Sequence, residues 1–513
     1  MNAVATATRL VERLLACGVN DAVLSPGSRS GPLALALHAA DVQGLLRLHV
    51  RVDEREAAFL ALGLAKSGRL VPVVTTSGTA VANLHPAMLE ALHTGVPVLA
   101  VTADRPARLR GTGANQTTEQ RGFFAGVRFL TAVDEIAPAH GPTHLNLELD
   151  EPLIEAVDWE FALAEPVPPP EQVAEPAVVM DCLADTVVLA GDRSGKAPRE
   201  LAEAIGWPLL AEPTSGSRGG SHAVTTYRAL LGRPELAGRI ARVVSFGHAT
   251  LSRPVTALLA RADIDIVHVG DQSTFPVPAG ANVTFVDAVR ADGSADPAWL
   301  DLWRSADASA VAAIDAELDG TAAYDVARTV DTAVTGGGLL VIGSSNPIRD
   351  LDLVGSAPDV ERTVMGNRGL AGIDGLLSTA IGAALAGSFT RSIAYVGDLT
   401  FLHGSNGLLI GPHEPRPDLT IVVVNDDGGS IFATLEQGAE DYADAFERVY
   451  ATPTGADLAA LCTGYRIAHR RIAPGDLAAA LEVPPKGIEV IEVPVDRQGR
   501  RSLEARLMDA ARI

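Results

Sequence analysis

The sequence is short of cysteine, of basic charge and of long apolar runs. Its three cysteines, Cys17, Cys182 and Cys462, lie far apart and form no CxxC pair. That excludes a disulfide framework or a familiar zinc site and fits free thiols in a reducing compartment. Lys and Arg number 41 against 63 Asp and Glu, a net charge of −22 over 513 residues. This balance disfavours broad contact with nucleic acid or an anionic bilayer, because both need clustered cations to neutralise phosphate. No uninterrupted apolar stretch approaches the roughly 18 residues needed to cross a bilayer, and the opening residues lack a basic segment followed by an apolar secretion core. The expected setting is the cytoplasm, with no membrane span and no nucleic-acid partner. At 47% hydrophobic and 20% charged the composition is that of a globular protein, long enough for about three domains.

What is present is a repeated rhythm. Short apolar, β-branched runs at 21–25, 71–76 and 96–103 alternate with amphipathic segments at 32–40 and 80–93, the pattern of a parallel sheet with crossover helices. Several of the runs end in small or polar turns, Ser25-Pro26-Gly27-Ser28, Thr76-Ser77-Gly78-Thr79 and Thr102-Ala103-Asp104. Ligands of such sheets sit beyond the carboxyl ends of the strands. A proline-rich stretch at 165–176 reads as a linker. Strands are then expected at 186–190, 243–246, 264–269 and 283–286, and a helical region at 299–334 ends at Gly336-Gly337-Gly338. The rhythm returns with strands at 339–342, 392–396, 419–424 and 488–493. The expected fold class is α/β, with three doubly wound parallel-sheet domains at 1–165, 177–335 and 336–513.

The pattern that decides the chemistry lies in the third stretch. Gly397-Asp398-Leu399 closes one apolar strand, and 25 residues separate Leu399 from Asn425-Asp426-Asp427-Gly428-Gly429, which closes the next. Two strand ends thus present carboxylate and amide oxygens together. Hard dications such as Mg²⁺ take oxygen ligands in an octahedron and commonly share themselves with phosphates. Asp398, Asp426 and the Gly428 carbonyl would supply half of that set.

This pairing resembles the metal and diphosphate signature of thiamine-diphosphate enzymes, with Leu399 at the usual third glycine and Asp426 at the usual second asparagine. More of the chain is similar to one branch of that family, the menaquinone-pathway synthases that join 2-oxoglutarate to isochorismate. The matching pieces are Pro26-Gly27-Ser28-Arg29-Ser30, Asp53-Glu54-Arg55, Thr76-Ser77-Gly78-Thr79-Ala80, Ala103-Asp104-Arg105-Pro106, Gly113-Ala114-Asn115-Gln116, Asn367-Arg368-Gly369, Gly372-Ile373-Asp374-Gly375 and Gly428-Gly429-Ser430-Ile431-Phe432. The middle stretch matches only through Ser252-Arg253.

The resemblance implies a thiamine-diphosphate-dependent transferase that uses Mg²⁺ or Mn²⁺. It decarboxylates 2-oxoglutarate and adds the succinyl carbanion equivalent to isochorismate in a 1,4 fashion. The first domain would bind the pyrimidine and the third the diphosphate and metal. Glu54 would hand a proton to the aminopyrimidine, and desolvation would raise its pKa for that work. Ile373 would bend the cofactor. Ser77, Gly78, Gly397, Asp398, Leu399, Ile431 and Phe432 would line it, and Asp398, Asp426 and Gly428 would hold the metal. Both implied substrates are dicarboxylates, which planar guanidinium groups grip through paired hydrogen bonds. The implied clamps are Arg29, Arg105, Arg253, Arg349 and Arg368. Ser28, Asn115, Gln116 and Ser345 are the neutral partners, and Leu435 completes an apolar wall. Active sites at subunit interfaces imply a homodimer or homotetramer. Two alternatives stay open at this point: another thiamine-diphosphate decarboxylase or acetolactate-type synthase, and a non-catalytic regulator that binds a small acid on the same fold.

Overall fold

The computed structural model describes residues 2–512 except 139, 163–164, 169–175, 183–184, 271–274, 276–279, 319 and 321. Most of the expected linker at 165–176 lies outside the described residues. Contacts along the chain group it into two compact units. One comprises residues 1–172, 369–388 and 403–417, the other residues 173–368, 389–402 and 418–513.

The first unit is built on six parallel strands, Asp21–Leu24 (β1), Arg47–Val50 (β2), Val71–Thr75 (β3), Val98–Asp104 (β4), Arg128–Leu130 (β5) and Thr143–Glu148 (β6). They lie in the order β2-β1-β3-β4-β6-β5. β1, β3 and β4 are buried along their whole length, because a parallel sheet is covered on both faces and its strands therefore read as continuous apolar runs. The strand order reverses between β1 and β3, which opens a crevice at their carboxyl ends. The helix expected over 80–93 is divided into Thr79–Asn83 and His85–Thr94, since Pro86 has no N–H to continue the ladder. Helix Glu54–Ala65 packs on helix Leu376–Ala386, and glycines let the backbones meet. A Cβ at Gly63 would sit 2.1 Å from the Thr379 carbonyl oxygen, and one at Gly382 would sit 2.3 Å from that of Leu60.

The second unit holds two further parallel sheets. Thr186–Ala190 (β8), Leu209–Ala211 (β9), Arg242–Phe246 (β10), Asp265–Val269 (β11) and Asn282–Val286 (β12) run in the order β12-β11-β10-β8-β9, beside a short pair of Val178–Met180 (β7) and Val289–Ala291 (β13). Leu339–Ile342 (β14), Thr363–Met365 (β15), Ser392–Gly397 (β16), Leu419–Asn425 (β17), Ala468–Arg471 (β18) and Ile488–Pro494 (β19) run in the order β15-β14-β16-β17-β19-β18. This last sheet repeats the strand order of the first, so its crevice opens between β14 and β16. The helical region expected at 299–334 is two helices, Pro297–Glu317, capped by the Asp296 side chain on the Ala298 N–H, and Ala323–Ala333. Trp303, Tyr324 and Tyr395 are fully buried in the core shared by the two sheets. Among the described residues no helix is long and apolar enough to cross a membrane.

Candidate active site

In the last sheet the carboxyl ends of β16 and β17, next to the switch point, carry the acidic corner expected from the sequence. Asp398 follows β16 and Asp426 follows β17. The Gly428 N–H donates to Asp398 Oδ2 at 2.9 Å, tying the two turns together. Burial first, and then the neighbouring Asp426 charge, raise the Asp398 carboxyl from 3.8 to about 7, against the N–H groups of Leu399 and Gly428. Asp426 is raised too, chiefly by burial, with the Ser430 hydroxyl and the Arg500 charge opposing. Neither carboxylate forms an ion pair among the described residues, and no cluster of three or more His, Cys, Asp or Glu side chains gathers there or elsewhere in them. Two crowded carboxylates and a carbonyl suit a hard dication that draws its other oxygens from a ligand. Gly397 leaves room beside them, because a Cβ there would meet nothing within 4 Å. Gly428, with φ +149°, admits no side chain, since its Cβ would lie 2.5 Å from the Ala451 carbonyl oxygen. The residues fit a metal-bound diphosphate.

Close by, Asn346 Nδ2 donates to Ser430 Oγ at 2.6 Å, so the turn after β14 is joined to the Asp426 loop. Ser345 heads helix Asn346–Val354 with φ +72° and ψ −136°, a conformation that is costly for a residue with a side chain and typical of functional turns. Arg349 Nη1 donates to the Ser345 carbonyl at 2.8 Å. Burial lowers the Arg349 pKa, and the Arg368 charge lowers it further. Arg368 is itself buried, and its Nε has no hydrogen-bond partner among the described residues. Two neighbouring guanidinium groups of this kind have the chemistry to take an anion. Ile431, Phe432 and Leu435 are half-buried on and beside the short helix Ser430–Thr434, with Phe432 against Tyr450 at 5.7 Å between ring centres. Leu399 is half-buried beside Asp398.

Arg253 is placed differently. It is exposed, and its guanidinium forms a fork on Glu436 at 2.7 and 3.0 Å, which pulls that carboxyl down to about 2. It would have to leave Glu436 to take a substrate.

The first unit assembles its candidate residues at the carboxyl ends of four neighbouring strands. Glu54 opens helix Glu54–Ala65 just after β2, and the Asp53 side chain caps that helix on the N–H groups of Arg55 and Glu56. Glu54 is half-buried and accepts from Asn83 Nδ2 at 3.0 Å. After β3, Ser77 Oγ donates to the Gln116 carbonyl at 2.9 Å. Arg105, after β4, donates to Ser77 Oγ at 2.6 Å and to the same carbonyl at 2.9 Å. Gly78 takes φ +83°, and its N–H is held by the buried Gln120 side chain at 3.1 Å. Arg29 donates to the Leu149 carbonyl at 3.0 Å. Burial and then the Arg29 charge lower the Arg105 pKa, against Asp104. This is a second pair of crowded arginines. Ser28, Asn115 and Gln116 are exposed around it, and Ile373 is half-buried in the turn before helix Leu376–Ala386.

Several polar groups beside the candidate residues escape sequence reasoning. Asn83 and Gln120 stand in no motif, and only folding brings them to Glu54 and Gly78. Glu56, two residues past Glu54, is buried and raised to about 7, with a hydrogen bond from Ser378 at 2.6 Å. Glu212, fully buried and raised to about 8, accepts the Leu251 N–H at 2.9 Å, beside the Ser252-Arg253 turn. The one available signal was a carboxylate inside an apolar run, as at Leu210-Ala211-Glu212.

Two parallel sheets of one strand order, the last with a buried acidic corner, are the setting of a thiamine pyrophosphate enzyme, and residues 4–123 match the family model described as the thiamine pyrophosphate enzyme N-terminal TPP binding domain. Among curated proteins the chain is 50% identical to a 2-succinyl-5-enolpyruvyl-6-hydroxy-3-cyclohexene-1-carboxylate synthase of a Nocardioides species, over 99% of this chain and 97% of that protein. Proteins of the same name from Kineococcus radiotolerans and Rhodococcus erythropolis are 46% and 42% identical, and the alignments span 98% or more of every chain. The chain belongs to the 2-succinyl-5-enolpyruvyl-6-hydroxy-3-cyclohexene-1-carboxylate synthase family.

Proposed function

We propose that the protein decarboxylates 2-oxoglutarate and adds the remaining succinyl carbon to isochorismate, as a thiamine-diphosphate-dependent transferase of menaquinone synthesis. The observation that carries this reading is the meeting of Asp398 and Asp426 beside the Gly428 turn, with no ion-pair partner for either carboxylate among the described residues. Asp398, Asp426 and the Gly428 carbonyl would hold Mg²⁺ or Mn²⁺, and the Gly397-Asp398-Leu399 turn would face the diphosphate. Thiamine diphosphate, once bound, supplies the electron sink that lets a 2-oxo acid lose CO₂ and pass on its acyl carbon.

The protein's own part is to bind, orient and move one proton. Glu54 Oε1 would carry the proton shared with the aminopyrimidine ring nitrogen, while Asn83 fixes Oε2 and so sets the carboxyl plane. Ser77, Gly78 and Ile373 would shape the space around the rings. Arg29 with Arg105, and Arg349 with Arg368, would each take a carboxylate, assisted by Ser28, Asn115, Gln116 and Ser345. Two arginine pairs suit dicarboxylates better than a small monocarboxylate such as pyruvate. Ile431, Phe432 and Leu435 would keep water from the reacting carbon. Arg253 would reach substrate by exchanging its Glu436 fork for a substrate carboxylate. The modules 1–165, 177–335 and 336–513 would carry pyrimidine, central and diphosphate roles.

Glu54 is only half-covered on its own chain, which fits completion of the site by a second copy, in a homodimer or a homotetramer. The test is to supply the purified protein with Mg²⁺, thiamine diphosphate, isochorismate and either labelled 2-oxoglutarate or labelled pyruvate. Release of CO₂ coupled to isochorismate loss is expected from 2-oxoglutarate alone. Equal use of pyruvate would point to an acetolactate-type synthase. An active species with the mass of one chain would rule out the shared site.

A further inference from the structure

Residues away from the acidic corner fix the orientation of the loop that carries Asp426. Arg497 Nη1 donates to the carbonyl oxygens of Asp426 at 3.1 Å and Asp427 at 2.9 Å, and Nη2 pairs with Glu447. Of three successive carbonyls, two therefore face a guanidinium. The third, that of Gly428, accepts the Ser430 N–H at 3.1 Å and no guanidinium among the described residues; each of the three oxygens keeps a second lone pair, but that of Gly428 is offered with no positive charge already facing it.

The side chains on either side of Asp426 are committed as well. Asp427, at φ +51°, turns its carboxylate onto the N–H groups of Thr454 at 3.1 Å and Gly455 at 3.0 Å. Asn425 accepts the Asp427 N–H at 2.9 Å and donates to Glu492 at 2.8 Å, and Glu492 is buried and also bonds His469 at 3.0 Å. The Asp426 carboxylate, which also takes the Ser430 hydroxyl, and the Gly428 carbonyl remain available to a cation.

We propose that Arg497 is a positioning residue for metal binding: by occupying the Asp426 and Asp427 carbonyls it selects Gly428 as the backbone donor and aims the Asp426 carboxylate at the ion. The inference rests on the metal-site reading above. It differs from an ordinary structural role in its consequence, since the loop would still fold without the guanidinium but would present the wrong oxygens. Arg497 is partly exposed, with 22% of its side chain accessible, so its replacement empties no core.

The experiment compares full-length wild type, Arg497→Met and Arg497→Lys. Bound Mn²⁺ is read from the free-ion electron paramagnetic resonance signal at saturating thiamine diphosphate, and melting of the metal-free protein is followed in parallel. Removing a group that orients metal ligands costs about 10- to 100-fold in affinity. That loss is expected for Arg497→Met with metal-free melting unchanged, and Arg497→Lys should recover part of it. In turnover, the Mn²⁺ requirement should move more than kcat at saturating metal. Equal Mn²⁺ affinity in wild type and Arg497→Met overturns the inference. If the Met variant does not fold, the Lys variant decides: weakened binding supports the inference and unchanged binding overturns it. A wild type that takes up no Mn²⁺ overturns the metal-site reading itself, whereas a failure confined to the variants' response leaves that reading standing.

Discussion

Replacing Asp398 by Asn should stabilise the metal-free protein and abolish its response to metal. The carboxyl is raised from 3.8 to about 7, by burial and then by Asp426. A group whose folded value lies above its unfolded one carries no penalty below about pH 4, where both states are protonated. The penalty grows as pH rises between the two values and is constant above about pH 7. The interval from 3.8 to about 7 corresponds to on the order of 4 kcal/mol. Asn keeps an oxygen for the Gly428 N–H, which Asp398 accepts at 2.9 Å, but it brings no charge. The stability gap between Asp398→Asn and wild type should therefore widen from about pH 4 to about pH 7 and then level off. Urea unfolding of both proteins without metal, across that range, reads the gap, and subtraction removes the titration of every group the two share. Adding Mg²⁺ with thiamine diphosphate should then raise the wild-type midpoint and leave the variant where it was. A gap that does not change with pH, or a variant that answers to metal as strongly as wild type, refutes the reasoning.

Glu54→Gln should lower turnover by roughly 10²- to 10⁴-fold while thiamine diphosphate still binds, as measured by steady-state rates beside calorimetry; unchanged turnover would remove Glu54 from its role. Arg105→Met should raise KM for one of the two substrates by roughly 10- to 100-fold, the loss of a charge-assisted hydrogen bond of about 1.5–3 kcal/mol, with the Ser77 turn loosened as well. Equal KM values for both substrates in variant and wild type would exclude the clamp. Gly63→Ala sets a methyl 2.1 Å from the Thr379 carbonyl oxygen, between two helix backbones that have no flexible group to move. It should destabilise by about 1–3 kcal/mol on denaturation, and a neutral effect would show that the two helices separate freely.

The parts of the fold legible from sequence are those where one physical effect acts alone. Strands β1, β3, β4, β14, β16 and β17 are covered on both faces, so Val73-Val74 or Ile421-Val422-Val423-Val424 declare themselves by composition. The edge strands β2 and β18 do not, because Arg47-Leu48-His49-Val50 and Ala468-His469-Arg470-Arg471 meet solvent or partners on one side. β6 was hidden for another reason. Thr143, His144 and Asn146 are buried there, made tolerable by Thr102, whose hydroxyl bonds His144 and Asn146 at 2.8 Å each, and by Gln120, which bonds Asn146 at 2.6 Å. Such a polar ladder reads as a loop until its partners are known. The site divides in the same way. Asp398 and Asp426 follow apolar strands at a telling spacing, and the family likeness supplied Glu54. The crowding of Arg29 on Arg105 and of Arg349 on Arg368, the Arg253–Glu436 fork and the Arg497 hold on two carbonyls depend on how distant segments meet, which no local pattern carries.

Titration calorimetry of the full-length protein with thiamine diphosphate, in the presence and absence of Mg²⁺, tests the central claim most directly. Saturable binding that appears with Mg²⁺ and is lost in both Asp398→Asn and Asp426→Ala is the expected result. Cofactor binding indifferent to the metal and to both substitutions, or no binding at all, would contradict it.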